Sequence, residues 1–227
     1  MNNRNNQKQK SILPTIIFAA LFAIVLAAGS LIDVKPAGPD ETRIGLSTVN
    51  LAVERLICPT APALSGGNLV SYYLSEVTGV IALLVAGLFA ALGVIELVQR
   101  KSIRKVDKEI LTLGALYILT MLFYVIFEVI VINYRPVIMP EEAAVEASFP
   151  SSHTMLAIVI FGSAIPMFHK YIRSEGLQKI LHIACLILMA VTVCARLLSG
   201  VHWLTDILAG SFLALALLSL FLRQLAH

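Results

Sequence analysis

The sequence predicts an all-α, polytopic membrane protein with six transmembrane helices and an amphipathic helix in the first outer loop. Of its 227 residues, 58% are hydrophobic and only 14% are charged, which is unlike the composition of soluble domains. Six apolar stretches have the length, about 20 residues, that crosses roughly 30 Å of hydrocarbon. They cover residues 12–32, 70–98, 110–134, 154–169, 178–198 and 203–223. Because backbone groups in lipid need internal partners, these stretches are predicted to be helices.

The polar N-terminus and the first stretch are the first elements of the chain. Residues 1–11 are rich in Asn and Gln and are predicted to be a disordered cytoplasmic segment. Residues 12–227 are predicted to form a single membrane domain. The first stretch has a basic start and a small-residue run, Ala27-Ala28-Gly29, as a cleaved signal peptide would have. Its apolar length favours an uncleaved anchor instead.

The outer loop after the first stretch is predicted to hold a helix of a different kind. Its apolar positions share one helical face: Leu46, Val49, Val53, Leu56 and Ile57. Asn50 and Glu54 fall on another face. This pattern predicts an amphipathic helix in the outer membrane interface. The helix fits a lid that packs on the bundle or a gate that admits lipid laterally, and the two roles are compatible.

The distribution of charge predicts the orientation of the bundle. Basic residues precede the first stretch and follow the second, fourth and sixth, whereas the other connections carry mainly acidic residues. The positive-inside rule therefore places both termini in the cytoplasm of a cell-membrane protein. Topogenic charge accounts for the basic loops, so no nucleic-acid partner is expected.

Five charged or titratable residues are predicted to meet at the outer ends of the last four helices. They are Arg135, His153, Arg196, His202 and Asp206. A single His or Arg at such a position is often a packing or headgroup residue. Five on one side of the membrane, where charge is energetically expensive, indicate a functional site.

The two arginines and the His202/Asp206 pair suit the chemistry of phosphate esters. Arg135 and Arg196 carry permanent planar charges that match phosphate oxygens. His202 and Asp206 are four residues apart, so on a helix they share a face. A carboxylate there fixes the imidazole tautomer and leaves the other ring nitrogen as a nucleophile.

His153 follows Ser151 and Ser152 at a predicted helix start. Backbone N–H groups and the helix dipole at such a position favour an anion. A histidine beside the anion can donate a proton to a leaving alkoxide.

The same segments resemble the signature of the type-2 phosphatidic acid phosphatase (PAP2) superfamily of membrane lipid phosphatases. That signature is Lys-x6-Arg-Pro, then Pro-Ser-Gly-His, then Ser-Arg-x5-His-x3-Asp. The corresponding segments here are Glu128-x6-Arg135-Pro136, Pro150-Ser151-Ser152-His153 and Ala195-Arg196-x5-His202-x3-Asp206. Order, spacing and membrane side agree over the third through sixth spans.

The resemblance implies a lipid phosphatase with an outward-facing site and with neither a metal nor a cofactor. His202 would attack phosphorus to form a phosphohistidine, and Asp206 would orient His202. His153 would protonate the leaving group and then activate water. The phosphoryl oxygens would be held by Arg135, Arg196 and the backbone of Ser151 and Ser152. Expected substrates are undecaprenyl pyrophosphate, phosphatidylglycerol phosphate, phosphatidic acid or a lysophospholipid phosphate, with a preference by family analogy for polyprenyl pyrophosphate.

Three positions depart from the family signature. Ser152 replaces Gly, and Ala195 replaces Ser and removes a hydroxyl donor. Glu128 replaces Lys, and a carboxylate near a phosphate repels it. Glu128 is therefore expected to pair with Arg135 or Arg196, or to mark a different charge pattern or a reduced activity.

Two further readings of the site stay open at the level of sequence. A lipid phosphotransferase would use the same intermediate and pass the phosphoryl group to an alcohol. A non-catalytic lipid-binding or transport protein would account for the Glu128 and Ala195 replacements. Glu76, in the second stretch, is expected to face lipid headgroups rather than the site.

Overall fold

The computed structural model describes residues 11–57, 68–138 and 144–226. It contains seven α-helices in this part of the chain: α1 (Leu13–Leu31), α2 (Ser47–Ile57), α3 (Leu69–Arg100), α4 (Lys108–Val129), α5 (Ser152–Tyr171), α6 (Glu175–Leu198) and α7 (Leu204–Gln224). All except α2 are long and apolar enough to cross a membrane. Two short strands, β1 (Lys35–Pro36) and β2 (Arg43–Ile44), pair antiparallel between α1 and α2. The predicted six-span, all-α fold is confirmed. The predicted disordered N-terminus lies almost wholly outside the described residues.

Helices α5 and α7 form the centre of the bundle. Most of the side chains along both are buried, whereas those of α1 and α3 are largely exposed and apolar, as suits a surface in contact with lipid. Helix α1 packs along α7, and the Thr15 and Ser219 hydroxyls join the start of α1 to the end of α7 at 2.8 Å. We call this the inner end of the bundle; the opposite end, where α5 and α7 begin, is the outer end.

Helix α4 ends at Val129, well before the predicted residue 134. The residues that follow form an extended segment instead, in which Tyr134 forms a β-bridge with Ala147. The Arg135 amide donates to the Glu146 carbonyl at 3.0 Å. The β-branched residues that follow Val129 and the Pro at 136 both disfavour a continuing helix. The extended segment places one predicted site residue, Arg135, at the outer end together with its neighbours Asn133 and Tyr134.

The predicted amphipathic helix is confirmed as α2, within an outer segment of residues 33–57. Its apolar face points away from the bundle, since Val49 is 48% and Leu56 is 80% exposed. Ser47 and Asn50 are its buried side chains. Helix α2 therefore presents apolar side chains outward, as an interfacial helix does, and docks on the protein through polar ones.

Candidate active site

Three segments that are distant in sequence meet at the outer end. The Trp203 indole donates to the Tyr134 carbonyl at 2.7 Å, and the Ser151 amide donates to the Asp206 carbonyl at 3.0 Å. Gly210 permits this packing, because a Cβ there would lie 2.7 Å from the Ser151 carbonyl oxygen. The start of α5, the start of α7 and the segment after α4 are thereby locked together.

His202 lies in the turn between α6 and α7 and is buried. Its Nδ1 is 3.1 Å from the Ser148 carbonyl oxygen, which can only accept a hydrogen bond. The proton is therefore assigned to Nδ1, and Nε2 keeps its lone pair. Burial lowers the pKa of His202 to about 4, against the opposing effect of Asp206. A neutral imidazole with an unprotonated Nε2 is the form that a nucleophile requires.

Asp206 is fully buried at the start of α7. One carboxylate oxygen accepts from the Trp203 amide at 3.0 Å, and the other accepts from the Asn133 side chain at 3.2 Å. The distance from Asp206 Oδ2 to His202 Nδ1 is 3.7 Å, which is longer than a hydrogen bond. The ring is held instead by the Ser148 carbonyl, with the carboxylate close enough to stabilise a charged imidazole.

Arg196, at the end of α6, is 1% exposed and forms an ion pair with Glu76 of α3 at 2.5 Å. The same Glu76 oxygen is 3.4 Å from Nε2 of His153. The expectation that Glu76 faces headgroups is wrong: it lies in the site, between an arginine and a histidine. A carboxylate inside an otherwise apolar span was the sequence signal for this role.

Several buried donors at the outer end have no hydrogen-bond partner among the described residues. They are Arg196 Nε and Nη1, together with the hydroxyls of Ser151 and Thr154 at the start of α5. Buried polar groups in proteins are nearly always bonded. The two guanidinium nitrogens therefore mark a place suited to an anion.

The serines before α5 differ from each other in what they can offer an anion. The Ser151 amide is bonded to the Asp206 carbonyl, which corrects the expectation that both serine amides hold a phosphoryl group. Ser152 is the first residue of α5, where amides have no acceptor within the helix. Of the two, Ser152 has the amide that is available to an anion, and Ser151 has a hydroxyl without a partner among the described residues.

Two cavities adjoin at Ser152 and Tyr124. The first, of about 20 Å³, is lined by His202, Arg135 and Glu128 among others. The second, of about 290 Å³, is lined by His153 and Glu76 and by apolar residues of α3, α4 and α5. Four predicted site residues thus line these two neighbouring cavities: Arg135 and His202 the first, His153 the second, and Ser152 both.

The expectation that Glu128 pairs with Arg135 or Arg196 is wrong, because other carboxylates pair with these arginines. Arg135 pairs with Glu146 at 2.9 Å, and the acidic partner of Arg196 is Glu76. Glu128 lines the smaller cavity beside Arg135. Within the described residues, no three His, Cys, Asp or Glu side chains are grouped so as to hold a metal ion.

The fold and this end of the bundle define a polytopic membrane protein with a buried site of histidines, arginines and carboxylates. The family model of the PAP2 superfamily matches residues 109–227, just over half of the chain. The chain therefore belongs to the PAP2 superfamily, as the sequence motifs predicted.

A solved structure shows the same fold across most of the chain. It is the first transmembrane PAP2-type phosphatidylglycerolphosphate phosphatase, from Bacillus subtilis, with a TM-score of 0.61. The two chains are 19% identical, and the alignment covers 92% of this chain and 94% of that one. A comparison with curated proteins finds no significant match.

Proposed function

We propose that this protein is a lipid phosphate phosphatase that forms a phosphohistidine on His202. The observation that carries the proposal is the buried Arg196, whose Nε and Nη1 have no partner among the described residues. Arg196 and His153 contact the same Glu76 oxygen, and Arg135 and His202 line the same cavity. Membership of the PAP2 superfamily supports the same chemistry.

In the first step, Nε2 of His202 attacks phosphorus while the bond to the lipid oxygen breaks. The leaving oxygen takes a proton from His153, and the Arg135 and Arg196 guanidinium groups balance the charge on the phosphoryl oxygens. In the second step, His153 removes a proton from water, which attacks phosphorus and breaks the bond to His202. Every proton and bond is accounted for by the two histidines and water.

The substrate is proposed to be a lipid because the larger cavity opens on the apolar side of the bundle. Val80 and Leu83 line it and are 56% and 58% exposed, respectively. A lipid chain lying along α3 would bring its phosphate to His153 and Ser152. The similarity to a phosphatidylglycerolphosphate phosphatase makes phosphatidylglycerol phosphate one candidate, beside polyprenyl pyrophosphate and phosphatidic acid.

The site is proposed to face the outside of the cell membrane, with both termini in the cytoplasm. The start of α1 and the end of α7 share the inner end, where the basic residues of the loop after α3 also lie. The positive-inside rule assigns that end to the cytoplasm.

The test is phosphate release by the detergent-purified protein in EDTA. The panel holds polyprenyl pyrophosphate, phosphatidylglycerol phosphate, phosphatidic acid and lysophosphatidic acid, with the His202→Ala protein beside the wild type. We expect turnover that resists EDTA and falls at least about 10⁴-fold in the variant, because the nucleophile is gone. Full activity in His202→Ala would exclude the proposed nucleophile, and loss on chelation with recovery in Mg²⁺ would exclude the metal-free mechanism.

Glu128 gives the sharpest test of the alternative, a non-catalytic lipid-binding protein. That reading predicts a wild type that binds the lipids without turnover and a Glu128→Lys variant that gains activity, since Lys restores the family charge. The proposed function predicts an active wild type in which Glu128→Lys only changes KM. A phosphotransferase would be recognised by a phosphorylated acceptor lipid in place of free phosphate.

A further inference from the structure

Asn133, in the extended segment after α4, is fully buried and is bonded in three directions. Its side-chain oxygen accepts from the Gly45 amide at 3.1 Å. Its side-chain nitrogen donates to Asp206 at 3.2 Å. Its backbone carbonyl accepts from the Ser148 amide at 2.9 Å. The Asn133 side chain therefore connects the outer segment to α7, and its backbone carbonyl holds the loop before α5.

Both groups that face the Nδ1 side of His202 are bonded to Asn133. The Ser148 carbonyl is 3.1 Å from Nδ1 of His202, and the Ser148 amide is held by the Asn133 carbonyl. The Asp206 carboxylate is 3.7 Å from the same nitrogen, and its other oxygen is held by the Asn133 side chain. Asn133 itself does not line the cavity at His202. It can act on the reaction only through these two neighbours.

The outer segment reaches the same place through Gly45 and Asn50. The Asn50 side-chain nitrogen donates to the Gly45 carbonyl at 2.9 Å and to the Thr205 hydroxyl at 3.0 Å. Its oxygen accepts from the Thr205 amide at 3.2 Å. A Cβ at Gly45 would overlap the Gly29 backbone, so only glycine brings the chain this close. The outer segment is thus bonded to Thr205, which precedes Asp206, and to Asn133, which donates to Asp206.

An amide is the side chain that position 133 requires. Asp206 is an acceptor, so the group facing it must donate, and the Gly45 amide is a donor, so the group facing it must accept. These two partners also fix which end of the Asn133 side chain is nitrogen. A carboxylate of the same shape would keep the bond to Gly45 and lose the bond to Asp206.

We propose that Asn133 is a positioning residue through which the docked outer segment sets the geometry of Asp206 and Ser148 against His202. The inference rests on the proposed function, because it assigns His202 as the group that reacts. Displacing a reacting group by about 1 Å can reduce a rate about 100-fold, so a single buried amide is enough to matter.

The experiment compares Asn133→Ala, Asn133→Asp and Asn50→Ala with the wild type, using the lipid that the wild type turns over best. Thr120→Ala is the control, because Thr120 is equally buried and its hydroxyl bonds only within α4. We expect kcat to fall roughly tenfold or more in Asn133→Ala with KM within about twofold, since no contact with substrate is lost. Asn50→Ala is expected to lower kcat by less, and Thr120→Ala is expected to leave kcat and KM unchanged.

Asn133→Asp supplies a readout that a purely structural role would not give. The introduced carboxyl lies against Asp206, so repulsion raises its pKa, and while protonated it can still donate to Asp206. Asp206 is the charged group that faces this position, at 3.2 Å from the Asn133 side-chain nitrogen, and Nδ1 of the titratable His202 lies 3.7 Å from Asp206. Arg135 and Arg196 add fixed positive charge at the same end of the bundle. We therefore expect kcat of Asn133→Asp, relative to wild type, to recover as the pH is lowered from about 8 to about 5.

The outcomes separate the two proposals. No turnover by the wild type on any lipid would overturn the proposed function and the role of Asn133 with it. A normal wild type with a normal kcat in Asn133→Ala would overturn only the positioning role. If Asn133→Ala does not fold, as judged by size-exclusion chromatography and thermal unfolding, Asn133→Asp decides: a loss of kcat without pH-dependent recovery would also overturn it.

Discussion

At the inner end of the bundle, the Asp107 carboxylate is bonded by Arg100, Lys170 and Tyr171. At the outer end, by contrast, Arg196 pairs with Glu76, and its Nε and Nη1 have no hydrogen-bond partner among the described residues. The inner distances are 2.9 Å, 3.0 Å and 3.0 Å to Asp107. These inner charges are partly exposed, while Arg196 is almost fully buried. In the inner cluster, each charged group has a partner of opposite charge and is also near water. In the outer cluster, Arg196 is shielded from water and keeps N–H groups without a hydrogen-bond partner among the described residues.

The difference separates charges that support the fold from charges that support a reaction. Solvent-screened ion pairs contribute little each, and losing one leaves its partner to water. A buried guanidinium with unbonded N–H groups is unfavourable unless an anion completes it. The comparison predicts that equivalent substitutions at the two ends have very different consequences.

The largest expected contrast is between Arg196→Ala and Arg100→Ala. Removing Arg196 deletes two or more donors to the phosphoryl oxygens, so we expect kcat/KM to fall roughly 10³-fold. Removing Arg100 breaks exposed pairs with Asp107 and Glu96 and is expected to change kcat/KM less than about twofold. Steady-state kinetics on one lipid in detergent measures both. Similar losses in the two variants would mean that the outer arginine is structural too.

Arg196→Lys sharpens the same comparison. Lysine keeps the charge and loses the planar fork, so a substantial loss of activity is still expected if bidentate binding matters. Activity close to wild type would show that charge alone is sufficient at this position.

A smaller contrast is expected between Glu76→Gln and Glu109→Gln. Glu76 contacts both Arg196 and His153, so neutralising it frees Arg196 for substrate and removes a negative charge beside the proton donor. We expect KM and kcat to fall together, by about threefold to tenfold each. Glu109 pairs with Lys170 at the inner end, and its variant is expected to match the wild type. A higher KM in Glu76→Gln would contradict this assignment.

The span pattern and the motif residues could be read from the sequence, because apolar length and the Arg, His and Asp spacing are local signals. The end of α4 was not predicted, because residues 130–132 continue the apolar run, and the pairing of residues 133–135 with residues 146–148 is not a local signal. Helix α2 was predictable because the periodic spacing of its apolar residues is also a local signal.

The connections between motifs were hidden from the sequence. Ser148 bonds His202 through its carbonyl, which any residue could supply. Asn133 is a single amide in an apolar run, and its partners Gly45 and Asp206 are far away in sequence. Glu76 did carry a signal, an acid within a span, but Arg196 and His153, which it contacts, are far away in sequence. Local patterns identified the candidate reacting groups, and only tertiary packing identified the groups that hold them.

The smallest predicted effect is a difference in pH dependence: His202 at the outer end and Asp107 at the inner end are expected to lower the stability of the protein in different pH ranges. The folded pKa of His202, about 4, lies below the ordinary value of about 6.5, so between these values the unfolded chain binds a proton that the folded protein does not. Stability is therefore lost as the pH falls from about 6.5 to 4, by on the order of 3 kcal/mol from this group. Bonds from Lys170 and Arg100 lower the pKa of Asp107 to about 2, so its contribution is lost only as the pH falls below about 4.

Thermal unfolding in detergent at closely spaced pH values measures both windows. His202→Asn is expected to flatten the wild-type decline between pH 6.5 and 4, because asparagine does not titrate, whereas Asp107→Asn is expected to leave that decline unchanged. The shape of the curve is the readout, since either substitution can shift the overall melting temperature. An unchanged slope in His202→Asn would mean that His202 is more accessible to water than its burial indicates. The outer end would then lose the feature that keeps its nucleophile neutral.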